Sequence, residues 1–299
     1  MRALDAAIAR SVRVLPRGIV SRVAGRYIAG EGLESALDVM AGLVAEGCVG
    51  TVDVLGEHID TAAGAEGMRG AYEAALRGLA CRGLPSGVSV KLTSLGLTFD
   101  RDACASLLDR VLAAAASLDR FVRVDMEESA HTDATLDMVL DARRRGRRVG
   151  TVIQARLRRS PADVDRLVAA GVPVRLVKGI YPEPECVAFT AQGEIRRAYL
   201  ELLERLVEGP ADVAIGTHDD VLIDGALEIV ARAGLPRDRY EFQMLLGVRP
   251  DLRRRLLAEG HRVRVYVPYG KDWFAYSVRR LQENPRMATM IARAILKPG

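Results

Sequence analysis

Arg279 and Arg280 stand side by side after an apolar strand signal (Val263–Val267) and a Pro-Gly turn, with Tyr276 just before them and Glu283 just after. Two planar guanidiniums at the exit of a strand-loop-helix unit suit a small carboxylate, which the fork can grip with paired hydrogen bonds. On their own they would read as a solvated helix face. Matching residues at other candidate strand ends change that reading. Lys91 follows Val90 and precedes Leu92-Thr93, so it alternates with apolar neighbours and points into a mouth. A buried lysine needs an anionic partner or its pKa falls. Lys91 is therefore a Schiff-base lysine, a carboxylate binder or a structural ion-pair partner. Asp125, in Val122-Arg-Val-Asp-Met126-Glu127-Glu128, is the expected partner for Lys91 or for an arginine of the last helix. Glu127 and Glu128 read equally well as acids of a first helical turn. Gln154 offers both donors and an acceptor, which suits the edge of a heterocycle. Arg175 and Lys178 share one strand and precede Gly179, which lets a ligand approach the backbone. Together Lys91, Arg175, Lys178, Arg279 and Arg280 face few acids, chiefly Asp125 and Glu283. Such a mouth suits an anionic substrate and an anionic or electron-accepting cofactor.

The elements that must position these residues alternate along the chain. Eight short β-branched runs read as strands: 50–55, 88–93, 121–126, 149–154, 174–177, 213–217, 240–244 and 263–267. Between them, apolar residues recur at three- and four-residue spacing over 64–82, 101–117, 132–145, 161–170, 185–207, 220–233 and 250–259. Eight strand-helix units predict a (β/α)8 barrel, with chemistry at the carboxyl ends of the strands. A doubly wound open sheet is the alternative, but no G-x-G-x-x-G follows the first strand. Helical signals over 3–14 and 33–45 precede the first strand. They predict helices within 1–48 that pack on the outside of the barrel or close its bottom, with the barrel itself over 49–299.

Composition narrows the class. Apolar residues make up 49% of the 299 and charged residues 27%, as in globular proteins. No apolar run reaches the ~20 residues of a membrane-spanning helix. Asp5, Arg10 and Arg13 break any signal-peptide core in the first 17 residues. Cys48, Cys81, Cys104 and Cys186 lie far apart without a CxxC pair, which fits reduced thiols in a cytoplasmic protein. The four histidines, His218 among them, have no metal-ligand spacing, so no metal is expected. The net charge of +4 and the run Arg143-Arg144-Arg145-Gly-Arg147-Arg148 raise the question of nucleic acid. Arginines closing a helix before a glycine are ordinary end chemistry, and no nucleic-acid role is expected.

In order along the chain, Val90-Lys91-Leu92-Thr93, Val122-Arg-Val-Asp125-Met126-Glu127, Ile153-Gln154-Ala155, Arg175-Leu-Val-Lys178-Gly-Ile-Tyr181, Gly216-Thr217-His218-Asp219, Glu241-Phe-Gln243-Met-Leu245, and Tyr266 followed by Tyr276-Ser-Val-Arg279-Arg280-Leu-Gln-Glu283-Asn284 resemble the proline dehydrogenase family. Each motif is weak alone. Seven in order, each at a separate strand end, are specific. The chain is too short for the aldehyde dehydrogenase module of bifunctional members, so it resembles the monofunctional enzyme.

The resemblance implies a distorted barrel holding FAD noncovalently. It implies oxidation of L-proline to Δ1-pyrroline-5-carboxylate by hydride transfer to FAD N5, with electrons passed to a membrane quinone and the protein peripheral on the inner face of the membrane. Lys91, Arg279 and Arg280 would grip the proline carboxylate, and Asp125, Tyr181, Leu245 and Tyr266 would line the ring or steady that grip. Met126, Gln154, Arg175, Lys178, Gly179, Ile180, Thr217, His218 and Glu283 would contact the flavin nucleotide, with Arg175 near N5. Asp125 and Arg175 are the expected catalytic pair. Ile180 departs from the alanine the family often carries there, which implies a smaller pocket if the side chain faces the substrate. Two competing readings are a lysine-dependent aldolase or lyase of the same barrel class, using Lys91 or Lys178, and a binding barrel that uses its basic faces.

Overall fold

The computed structural model describes residues 25–56, 59–274 and 276–277. Every expected strand forms: β1 (Val49–Val54), β2 (Gly87–Val90), β3 (Val122–Val124), β4 (Val149–Gln154), β5 (Val174–Val177), β6 (Val213–Gly216), β7 (Tyr240–Leu245) and β8 (Val263–Tyr269). Each pairs in parallel with its successor, and β8 returns to β1 with Thr51 opposite Tyr266, closing a barrel. Closure leaves no edge for a further strand to pair with. Helices carry the chain back between strands, in the order α2 (Ala62–Cys81), α3 (Arg101–Ser117), α4 (Thr132–Arg144), α5 (Ser160–Ala169), α6 (Gln192–Glu208), α7 (Asp220–Arg232) and α8 (Pro250–Ala258). The described residues thus form a (β/α)8 barrel.

A further helix, α1 (Leu33–Ala45), precedes β1. It packs against β1 and β8. A Cβ built on Gly50 would lie 1.9 Å from the Met40 sulfur, so the helix rests on the outer face of the β8–β1 seam. Of the two expected placements the outside is the observed one. The other early helical signal, over 3–14, lies outside the described residues.

Strand alternation divides the side chains into two sets. Val52, Val88, Val122, Leu176, Ile215, Phe242 and Val265 are buried between sheet and helices and belong to one continuous apolar core. The alternate residues face the barrel axis and include many polar ones, Asp53, Ser89, Arg123, Arg175, Glu241, Gln243 and Arg264, beside apolar Val152 and Ala214. Barrel interiors are ordinarily filled with layers of Val, Ile and Leu. Here much of the interior is charged, which the expectation of polar groups only at strand ends did not foresee.

Two boundaries differ for local reasons. The expected strands 88–93 and 121–126 end at Val90 and Val124, because the chain turns into a short 3-10 segment (Thr93–Leu95) and the loop that leads to Ser129–His131. Lys91 and Asp125 are thus the first residues past their strands. The helix expected from 185 begins at Gln192, since Ala188 bridges to Leu157, with Arg158 N donating to the Val187 carbonyl and Phe189 N to the Arg156 carbonyl, which ties this stretch to the loop after β4.

Candidate active site

Lys91, Asp125 and Tyr266 come from β2, β3 and β8, yet they meet at the carboxyl end of the barrel. Lys91 Nζ lies 2.7 Å from Asp53 Oδ1, 3.4 Å from Asp125 Oδ2 and 3.2 Å from the Tyr266 hydroxyl. Tyr266 donates its hydroxyl to the same Asp125 oxygen at 2.8 Å. The other Asp125 oxygen accepts from Ser89 Oγ at 2.6 Å and from Arg175 Nη1 at 2.8 Å. The Arg175 guanidinium also lies 5.3 Å from the Tyr266 ring centre, in cation–π range. Asp125 therefore pairs with Lys91 and with an arginine of β5, rather than with Lys91 alone.

Burial raises the free energy of every charge here, and the partners decide which charges survive. For Asp125, burial pushes the pKa up, but Lys91, Arg175 and the hydroxyls of Ser89 and Tyr266 outweigh it and hold the carboxyl below its ordinary value. For Lys91, burial pushes down, but Asp53, Tyr266 and Asp125 keep the ammonium protonated well above its ordinary range. Asp53 is fully buried, with one oxygen on Lys91 and the other without a partner; burial and the nearby Asp125 push its pKa up despite Lys91. Burial, with Asp125 and Asp53 beside it, also keeps the Tyr266 phenol protonated. A protonated lysine has no lone pair, so Lys91 in this setting is an electrostatic group and not a Schiff-base nucleophile.

Below this cluster, Arg175 Nε donates to Gln243 Oε1 at 2.5 Å, and Gln243 Nε2 donates to Glu241 Oε1 at 2.6 Å. Arg264 grips Glu241 with Nε and Nη2 at 2.6 and 3.1 Å. Its charge and hydrogen bonds overcome burial and bring the Glu241 pKa down to about 2. Arg123 donates to the carbonyls of Thr151 and Pro173. Among the described residues, Lys91, Arg123, Arg175 and Arg264, with Arg262 3.3 Å from Glu241, thus outnumber the interior acids Asp53, Asp125 and Glu241.

The second group sits on β4, β5 and β6. Gln154 donates its amide to the Glu127 carbonyl at 2.8 Å, which fixes the side chain and leaves its oxygen toward Gly179. Gly179 has φ +98, and a Cβ there would lie 2.8 Å from Arg156 methylenes and 2.9 Å from Gln154 Oε1. Lys178 pairs with Asp219 at 3.1 Å, and Arg196 shares that carboxylate. Thr217 is buried and its hydroxyl accepts from Asp219 N. His218 Nε2 accepts from Leu245 N at 3.0 Å, so the ring ties β6 to β7 and its proton is assigned to Nδ1. Met126 is buried beside Asp125. The Tyr181 carbonyl accepts from Arg156 at 2.7 Å, and Ile180 is 45% exposed in the same loop. Arg279, Arg280 and Glu283 lie outside the described residues.

Glu127 departs from the expected role of a first-turn acid. It is buried and accepts from Thr93 N and Oγ1, clasping the exits of β2 and β3. The sequence reading also missed Asp53, Ser89 and the Glu241–Arg264 pair. The signal for them was strict alternation within runs read as uniformly apolar, such as Val52-Asp53-Val54 and Val263-Arg264-Val265.

The profile of the proline dehydrogenase family matches residues 36–293. Proline dehydrogenase 1 of Bacillus subtilis (strain 168) is 35% identical over 274 residues, covering 92% of this chain and 91% of that protein. A proline dehydrogenase of Deinococcus radiodurans is 35% identical over 291 residues, covering 96% and 94%. Among solved structures, proline utilization A from Bdellovibrio bacteriovorus, inactivated by N-propargylglycine, superposes with a TM-score of 0.83 at 26% identity. That match covers 89% of this chain and 33% of the longer one.

Proposed function

The chain belongs to the proline dehydrogenase family, and we propose that it oxidises L-proline to Δ1-pyrroline-5-carboxylate with FAD, passing the electrons to a quinone. The observation that carries this reading is the Asp53–Lys91–Asp125–Arg175–Tyr266 cluster at the carboxyl mouth of a barrel whose interior is rich in cations. The Lys91 ammonium, held in place by buried partners, presents a fixed positive charge to a carboxylate, which favours one position of the bound amino acid. Arg279 and Arg280 would complete the grip. Tyr181, Leu245 and Tyr266 would border the ring. Asp125 orients both cations and remains ionised.

The donor set on β4–β6 fits FAD by its chemistry. Gln154 can meet the polar edge of a ring, Lys178 is partly open at the mouth, and Ile180 offers an exposed aliphatic face. Met126, Gly179, Thr217, His218 and Glu283 would complete the set that holds the group. When bound, FAD would supply the two-electron acceptor, taking hydride at N5. Arg175 would stabilise the negative charge that accumulates on reduction. The chain's residues do the rest, fixing distance and face while the barrel walls exclude water. No described helix is long and apolar enough to cross a membrane. A quinone acceptor would place the protein, otherwise cytoplasmic, against the inner membrane face.

The ion pairs of Lys91 with Asp53 and Asp125 disfavour an aldolase built on that lysine. The first test is the visible spectrum of the purified protein before and after anaerobic L-proline. Flavin absorption that bleaches with proline supports both cofactor and substrate, whereas a protein that stays colourless when FAD is supplied overturns the reading. Arg279→Met should abolish turnover by leaving the carboxylate unpaired, and normal proline kinetics in that variant would remove the grip assignment.

A further inference from the structure

The proposed reading assigns no role to the strand-seven motif Glu241-Phe-Gln243, yet both polar side chains are buried in the barrel interior. We propose that Gln243 and Glu241 are positioning residues for Arg175, forming with Arg264 a directed relay that fixes the guanidinium beside the flavin. This inference rests on the proposed reading of Arg175 as a flavin-facing cation.

The hydrogen-bond polarity of the chain makes the case. Arginine only donates and an ionised carboxylate only accepts. A side chain bridging the two must therefore present an acceptor to one and a donor to the other. Gln243 does this: its oxygen takes Arg175 Nε at 2.5 Å, and its amide gives to Glu241 Oε1 at 2.6 Å. Neither end can be reversed, because a flipped amide would point N–H at N–H on one side and oxygen at oxygen on the other. Glu241 is in turn held by both Nε and Nη2 of Arg264. Arg175 has three anchors, namely Asp125 on Nη1, Ser89 at 3.5 Å from Nη2, and Gln243 on Nε. Asp125 and Ser89 come from β3 and β2, so Gln243 is the hydrogen-bond anchor on the opposite side of the barrel, where the Tyr266 ring gives only a non-directional face contact. Without it the guanidinium can pivot about Asp125. A displacement of about 1 Å in a catalytic group costs on the order of a hundredfold in rate.

The test is a swap. Gln243→Leu removes the Nε acceptor. Gln243→Glu keeps that acceptor but sets two carboxylates against each other. The double variant Gln243→Glu/Glu241→Gln restores a donor–acceptor pair with the charges exchanged. In the FAD-loaded protein, Gln243→Leu should lower kcat by on the order of tenfold to a hundredfold while KM for proline changes less than about threefold. A tenfold weaker preference for the reduced flavin would appear as a midpoint potential about 30 mV more negative. Gln243→Glu should show the same defects, and the double variant should recover most of the lost kcat and potential. Wild-type kcat and potential in Gln243→Leu would overturn the proposal, as would a double variant no better than Gln243→Glu alone.

Thermal unfolding of the unloaded proteins separates the two readings. Gln243→Glu should melt lower than wild type and the double variant should recover, whatever ligand the barrel takes. If wild type neither binds FAD nor oxidises proline, the functional reading fails. The relay itself fails if the double variant does not recover in the unloaded protein.

Discussion

Lys91 shows how much one side chain holds in place. Its ammonium neutralises Asp53 and Asp125, both buried, and accepts no replacement of similar shape that lacks charge. Lys91→Met would leave two carboxylates facing each other across the mouth, with the unpartnered oxygen of Asp53 still further from compensation. We expect a loss of about 3–5 kcal/mol, the cost of breaking a buried ion pair from one side. A denaturant midpoint unchanged from wild type would show that one of the carboxylates is already neutral when Lys91 is present. At the same scale, several polar residues were legible as interruptions of apolar runs: Lys91, Asp125, Gln154 and Lys178 lie at or just past strand ends, whereas Arg175 lies within β5. Asp53 was not, because a single aspartate between two valines is also what a solvent-facing strand residue looks like.

The elements position these residues through their exits. Between β5 and α6 the chain must turn sharply past Arg156 and Gln154, and Gly179 does so at φ +98. An alanine there is strained by its backbone angle and also meets Arg156 and Gln154 Oε1 at under 3 Å. Gly179→Ala should cost about 1–3 kcal/mol and weaken FAD binding, measured as the flavin retained after dilution. Retention equal to wild type would remove this turn from the cofactor's surroundings. The strands themselves were readable to within a residue or two at most ends. The start of α6 was not, because periodicity over 185–191 imitates a helix, whereas the backbone there bonds across to Arg156 and Arg158 instead.

At the scale of the whole molecule, closure and acid stability follow from the interior. Helix α1 covers the β8–β1 seam, with Met40 fully buried over Gly50. Met40→Ala should destabilise by about 2–5 kcal/mol and lower the denaturant midpoint with little change in slope; a shift below 0.5 kcal/mol would mean the seam closes without α1.

Acid should act on the lower half of the barrel. Glu241 has a folded pKa of about 2 against an ordinary 4.5, so between those values the unfolded chain binds more protons and stability rises with pH. The contribution, about 3 kcal/mol, is complete above pH 4.5 and is lost as pH falls toward 2. Glu241→Gln should flatten stability over that window, and an unchanged acid limb would place the titration elsewhere.

By itself the sequence determined the barrel and several of the polar residues at its mouth. The alternation of β-branched runs with helical periods leaves few ways to bury apolar faces, and the polar interruptions mark where strands end. Only the tertiary structure decided who pairs with whom. Asp53 and Lys91 are 38 residues apart, Arg175 and Gln243 are 68 apart, and Tyr266 reaches Asp125 across 141. Those partners meet because the sheet closes on itself, which turns one face of eight separate strands into a single interior. Closure also turned isolated charges, each costly to bury alone, into a nearly balanced network.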